Sequence, residues 1–242
     1  MITKVAFTKG VTRQLKILHY LCLFLYLSIM IDTTRAIVLN HLRYGDNSLI
    51  VDLYTENMGR QTIFVKGAFN KKSPVRSAFF QPLHIIETDL HHRANRQMQR
   101  ISNVQMYYPF QNIPCDPKKS CIALFIAEIL YKTLKEEETN KELFVFLLNT
   151  IQTLDLNYSG TANFHLVFLV HYSRYLGFYL RYKKNEYLSK IFEMSFECLN
   201  NLQINRHHRN HLTEYLLEYY SSHIDNFGKI KSFSVLQNVF QD

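Results

Sequence analysis

From Arg35 onward, apolar and polar positions alternate with a short period. The runs "RAIVLNHLRY" and "NSLIVDLYT" have strand character and are separated by "YGD", a turn signal. In the second run Leu49, Val51 and Leu53 alternate with Ser48, Ile50 and Asp52, which gives a strand with two unlike faces. "ENMG" makes the next turn and "RQTIFVKG" a third strand, and "PLHIIETDLH" and "QMQRISNVQMYY" supply two more. Five short strands so closely spaced predict a small closed barrel rather than a sandwich.

The period changes at "PFQNIPCDPKKS", where Pro109, Pro114 and Pro117 mark a linker and a helix start. Beyond it, "KKSCIALFIAEILYKTLKEEE" places Ala123, Ile126, Ala127, Leu130 and Leu134 on one helical stripe. "KELFVFLLNTIQTL", "NFHLVFLVHYSRYLGF", "HLTEYLLEYYSSHI" and "SFSVLQNVF" continue in the same way. The expected fold is therefore α+β: a five-stranded barrel over residues 31–108, then an α-helical domain over 109–242.

Residues 1–30 stand apart. Lys4, Lys9, Arg13 and Lys16 precede an apolar run from Ile17 to Met30. That layout suits a signal peptide, but no small-residue cleavage site follows, and the run is short for a membrane span of about 20 residues. "MIDTTRAIVLNHL" reads as a natural protein start, so Met30 is the expected first residue and the preceding stretch an extension outside the domains. The alternative is a membrane-anchored or exported basic binding protein.

Charge sharpens this picture. The chain has 242 residues, 47% of them hydrophobic and 20% charged, which describes a globular protein with a full core. Its net charge of +8 favours an acidic partner such as nucleic acid or an anionic membrane. By segment the net charge is +4 over residues 1–30, +4 over 31–108 and zero over 109–242. Cys22, Cys115, Cys121 and Cys198 show no metal or disulfide spacing and fit a reducing cytosol.

The barrel's charge is concentrated. From Arg60 to Arg100 there are eight basic residues and two acids, Glu87 and Asp89. "VKGAFNKKSPVR" carries Lys66, Lys71, Lys72 and Arg76 around a turn, and the last hairpin adds Arg93, Arg96 and Arg100. Arg43 stands at the end of the first strand. Cations converging on one groove bind phosphates through counterion release. The competing reading is an ordinary solvated surface, to which charge runs usually belong. Thr62, Phe64 and Lys66 share one face of the third strand, where Phe64 could stack a base; its alternative is a place in the core.

Catalytic signals are absent: no phosphate-cradling glycine loop, no Gly-x-Ser-x-Gly elbow, seven glycines in all. His207 and His211 have the helical spacing of two zinc ligands, but no Glu lies between them and no third ligand is identifiable, so a metal hydrolase is the weakest alternative. His91 and His92 read as polar hairpin residues. No cofactor is expected.

"YGDNSLIVDLYTENMGRQTIFVKGAFNKKS" resembles the N-terminal barrel of the RecO family of bacterial recombination mediators. The resemblance rests on Tyr44-Gly45-Asp46, Ser48, Ile50-Val51, Tyr54-Thr55, Gly59, Lys66-Gly67-Ala68, Lys72-Ser73 and Gln81-Pro82, with "AEILYKTLKEEETNKELFVFL" and "YSRYLGF" in the helical half. It runs from about residue 31 to the end. It implies an OB-fold barrel, binding of single- and double-stranded DNA, strand annealing, and help in loading RecA onto DNA coated by single-strand-binding protein. RecR and the acidic tail of single-strand-binding protein are its implied partners, and a cytoplasmic, nucleoid-associated location follows. Many members carry a four-cysteine zinc motif after the "LGF" helix; here only Cys198 follows it, so no metal is expected.

Overall fold

The computed structural model describes residues 30–70, 73, 75–93, 96–135, 137–156, 160–178 and 186–240. The expectations for residues 1–29 lie outside these, as do Lys71, Lys72 and Pro74 of the basic loop. Strands β1 (Met30–Tyr44), β2 (Ser48–Thr55), β3 (Gly59–Lys66), β4 (Ile85–His92) and β5 (Arg100–Tyr108) form one sheet in the order β3-β2-β1-β4-β5, antiparallel throughout. β1 starts at Met30 rather than Arg35, because Met30 to Thr34 pair with His92 to Thr88 of β4 despite a polar sequence. His91 and His92 accordingly end a strand.

The ladder does not close all the way round. A single parallel bridge joins β3 to the residue before β5: Phe64 N donates to Gln99 O at 2.9 Å and Gln99 N donates to Thr62 O at 2.8 Å. The expected closed barrel is thus a partly open OB-fold with a two-bond seam. A 3-10 turn, Ser77–Phe80, was not legible in the strand pattern; it seats Phe80 inside the barrel.

β1 is buried on both faces at its centre. Ala36 and Val38 belong to the barrel interior with Leu49, Val51, Ile63 and Val65. Ile37 and Leu39, with Tyr54, Leu83 and Ile85, belong to the helical core. This is why "AIVL" is continuously apolar instead of alternating.

Six helices follow among the described residues: α1 (Pro117–Thr133), α2 (Lys141–Leu156), α3 (Phe164–Tyr175), α4 (Glu186–Glu193), α5 (Arg206–His223) and α6 (Ser232–Val239). The stripe Ala123, Ile126, Ala127, Leu130 and Leu134 is buried as expected. α1 opens on Asp116, whose carboxylate accepts from Lys118 N at 2.8 Å and Lys119 N at 3.4 Å, with Pro117 at the first helical position. It ends at Thr133, before the "KEEE" run, and there the barrel reaches it. Arg60 Nη1 donates to Tyr131 O at 2.8 Å and Leu134 O at 2.7 Å, covering carbonyls that a helix end leaves unpaired. α4 was not among the helices expected from the sequence: it is eight residues long and buries only Leu188 and Ile191.

A second joint is Asp155, buried near the end of α2. Its carboxylate accepts from the backbone N–H groups of Gln111, Asn112 and Ile113, each at 2.8 Å, and from Tyr108 Oη at 3.0 Å. Lys119 Nζ donates to its backbone carbonyl at 2.6 Å. Burial pushes the carboxyl up, but these donors outweigh it and hold the group below the usual carboxylate range. The linker between strands and helices is therefore pinned, not loose. No helix among the described residues is long and apolar enough to cross a membrane.

Candidate nucleic-acid interface

β3 presents its side chains as the sequence alternation requires. Gln61, Ile63 and Val65 are buried in the barrel, whereas Thr62 and Phe64 are half-buried and Lys66 exposed on the outer face. Phe64 is thus not a core residue. Register then supplies neighbours that one strand cannot reveal. Ile50 of β2 lies opposite Phe64, and Ser48 opposite Lys66; across β2, Leu42 and Tyr44 of β1 face the same Ile50 and Ser48. The result is an outward patch of Leu42, Tyr44, Ile50 and Phe64 with Lys66 at its corner. Leu42 and Tyr44 are 62% and 59% exposed, the highest among the large apolar side chains of the sheet, apart from Ile31 at 61%. The rings of Tyr44 and Phe64 meet edge to face, 5.8 Å between centroids. Fixed aromatic faces beside a cation can stack unpaired bases.

The turn between β1 and β2 flanks this patch. Arg43 donates to Gly45 O at 3.3 Å and Asp46 O at 3.1 Å and lies over the Phe69 ring at 4.9 Å. Its position braces the turn against the start of the basic loop. Gly67 leaves β3 at φ +73°, a conformation that side chains resist. Asn70 N then donates to Gly67 O at 3.0 Å, and Ser77 N to Ala68 O at 2.9 Å. These bonds draw the two ends of the loop together, so exposed Arg76 returns to the strand end that carries Lys66. Lys71 and Lys72 lie between, outside the described residues.

The β4–β5 hairpin closes the other side. Arg93, Arg96 and Arg100 line a cleft of about 250 Å³ with His91, Met98 and Gln99. The Gln99 bridge sets this cleft beside Thr62 and Phe64. Among the described residues, the side chains of Lys66, Arg76, Arg93, Arg96 and Arg100 make no hydrogen bond or ion pair.

Most of the barrel's acids are occupied. Glu56 takes two bonds from Arg35, at 2.6 and 2.7 Å, and that guanidinium holds its carboxyl below the usual range. Asp89 is lowered by bonds from Thr33 and Asn103, and Glu87 accepts from Gln105. Asp52 takes Thr62 Oγ1 at 2.7 Å and Arg60 at 3.3 Å. Arg60, counted with the local basic excess, therefore belongs to the joint between barrel and helices.

This geometry can be set against known proteins. The chain matches the profile for the N-terminal region of recombination protein O over residues 30–110 and that for its C-terminal region over 115–185. It is 36% identical to the DNA repair protein RecO of Bacteroides fragilis, across 87% of this chain and the whole of that protein. It is 34% identical to the DNA repair protein RecO of Phocaeicola vulgatus, with the same coverage, and 35% to that of Flavobacterium psychrophilum, across 86% of this chain and 98% of that protein. The chain belongs to the RecO family.

In this member of the family the resembling residues Gly45 and Gly67 both have positive φ, so they shape the turns on either side of the aromatic patch. Several cations of the helical half are engaged. Lys119 bonds to Asp155 O, Lys132 to Lys229 O at 2.6 Å, and Arg174 to Phe192 O at 2.8 Å with its guanidinium 3.8 Å over the Phe192 ring. Lys118 lies 5.7 Å from the Phe240 ring centroid. His207 and His211 are exposed on the first turns of α5, and Cys198 is exposed in a 3-10 turn; among the described residues no group of three or more potential metal ligands occurs.

Proposed function

We propose that this member of the family is a non-enzymatic DNA-binding protein of recombinational repair, and that DNA lies across the outer face of β2 and β3. The observation that carries the reading is the set of unpaired cations, from the end of β3, the loop after it and the β4–β5 hairpin, that flanks the pair of exposed Tyr44 and half-buried Phe64. Phosphates would take Lys66, Arg76, Arg93, Arg96 and Arg100, with Arg43 alongside. Lys71 and Lys72 join them by their place in the sequence, as a clamp after Gly67. Unpaired bases would stack on Phe64 and Tyr44. Phosphate contacts position without reading sequence, which suits action at any damaged site.

Strand annealing, the loading of RecA onto DNA coated by single-strand-binding protein, partnership with RecR and work in the cytoplasm at the nucleoid complete the reading, as membership of the family implies. For the acidic tail of single-strand-binding protein, the helical half offers a groove of about 720 Å³ lined by Val145, Phe146, Tyr175 and Phe196, with Lys141 and Glu142 at its charged side. An apolar pocket with a cation is what an aromatic-ended acidic tail requires. Lys141→Glu should abolish binding of such a peptide and leave DNA binding intact.

The decisive experiment is a salt titration of binding to single- and double-stranded DNA. Replacing Arg93, Arg96 and Arg100 together by Ala should lower the salt slope by roughly two to three, at about 0.7–0.9 per phosphate contact. Phe64→Ala should weaken single-strand binding selectively, by about 1–3 kcal/mol. A folded triple variant with an unchanged slope would remove the interface from this face.

A further inference from the structure

Gln99 is a polar side chain, 5% exposed, set between the barrel seam and the arginine cleft. Every polar atom it has is used. Its Oε1 accepts from Arg93 N at 2.8 Å; its Nε2 donates to Arg93 O at 3.1 Å and Arg96 O at 2.8 Å. Its backbone makes both bonds of the β3 seam, to Thr62 O and from Phe64 N. Arg96 N also donates to Arg93 O at 3.0 Å. A single residue thus fixes the backbone of two cleft arginines and ties that backbone to the strand that presents Phe64.

The bonds are directed at the main chain of Arg93 and Arg96, so the two guanidinium groups stay available for a ligand. A buried amide is costly unless all its donors and acceptors are matched, and here all are. Gln61 provides the contrast. It is also buried in the barrel, 4% exposed, but its amide reaches only Met58 O, at 2.9 Å, far in sequence from any cleft arginine.

We propose that Gln99 is a positioning residue for DNA binding: its amide pre-forms the β4–β5 arginine cleft, so that phosphates meet an ordered seat held at a fixed place beside Phe64. This rests on the interface proposed above. A seat ordered in advance avoids the entropy of arranging the loop during binding. The cleft and the aromatic patch then work as one surface, because the same residue sets the position of both.

The test compares Gln99→Met, which keeps the shape and removes the three amide bonds, with Gln61→Met as a control for the loss of a buried amide. Both are measured by urea unfolding, by binding of an oligo-dT strand across a salt series, and by hydrogen exchange. Gln99→Met should weaken oligo-dT binding about tenfold and lower the salt slope by roughly one to two, since two arginines lose their fixed place. It should also speed exchange at Arg93 and Arg96. Gln61→Met should lose comparable stability and bind as the parent does. Wild-type binding by Gln99→Met with a loosened loop would overturn the inference, as would equal loss of binding in the Gln61→Met control. If Gln99→Met does not fold, exchange in the unmodified protein decides: the Arg93 and Arg96 amides should be protected before DNA is added, and their free exchange in the unbound protein overturns the inference. The Arg93/Arg96/Arg100→Ala variant separates the two failures. Weak binding there with normal binding in Gln99→Met removes only the positioning role, whereas normal binding in both removes the interface.

Discussion

The two halves of this molecule treat positive charge in opposite ways. In the helical half several cations brace the fold: Lys119, Lys132, Lys135 and Arg174 each donate to a backbone carbonyl, and Arg209 is buried near Phe240. In the barrel, Lys66, Arg76, Arg93, Arg96 and Arg100 have unpaired charges, on the side of the exposed Tyr44 and half-buried Phe64 rings. Net charge follows the same division, zero over residues 109–242 and +4 over 31–108. The difference teaches that a count of lysines and arginines says little by itself. Cations that close this fold are matched with carbonyls, while those of the proposed interface carry no partner of their own.

Substitutions can break or sharpen this contrast. The largest effect is expected at the inward-facing joint. Asp155→Ala leaves Tyr108 Oη and three backbone N–H groups without their acceptor, and should cost about 3–5 kcal/mol in urea unfolding. Any DNA binding by the fraction still folded should be unchanged. Because folding lowers the Asp155 pKa, its contribution is present above the unfolded value near 3.9 and is lost as pH falls below it.

Next comes His165, fully buried beside Arg209, its pKa pushed down to about 3 by burial first and that guanidinium second. The unfolded chain binds this proton near pH 6.5 and the folded chain does not until about pH 3. Stability should therefore fall as pH drops through that window, with a slope of up to about 1.4 kcal/mol per pH unit from this group. His165→Gln should flatten that part of the curve; an unaltered slope would assign the acid sensitivity elsewhere.

Arg60 is the barrel cation that behaves like those of the helical half, so it sharpens the contrast. Arg60→Met should cost about 1–2 kcal/mol of stability, through two lost carbonyl bonds and the pairing with Asp52. The salt slope of DNA binding should not move. The smallest stability effect is expected for Lys71, Lys72 and Arg76 replaced together by Ala, under about 0.5 kcal/mol. That variant should nevertheless lower the salt slope by roughly two to three. A folded variant with the parental slope would return this loop to ordinary solvated surface.

Much of the barrel was legible because strand alternation is a local property. Ile63 and Val65 against Phe64 and Lys66 could be assigned to faces from four consecutive letters. What the letters could not show was neighbours across strands. Tyr44 meets Phe64 only through the register of β1 on β2 and of β2 on β3. The only trace of it in the sequence was that Leu42 and Tyr44 continue an outward, apolar alternation past the buried part of β1. Arg60 and Gln99 were illegible for a related reason. Their partners are distant in sequence or in the main chain, and a composition count assigns an arginine to the surface before its carbonyls are known. The helical stripe over Ala123 to Leu134 was clear, since five apolar positions repeat at helical spacing; α4, eight residues with two of them buried, was too short to stand out.

The double burial of β1 bears on how the molecule responds to heat and force. Ala36 and Val38 face one core while Ile37 and Leu39 face the other, along a strand that cannot leave either without exposing both. Barrel and helices should then melt together in one calorimetric transition, and neither should survive cleavage at the linker as a soluble fragment. Tension applied through bound DNA would reach the helical half directly along β1, with no hinge to absorb it.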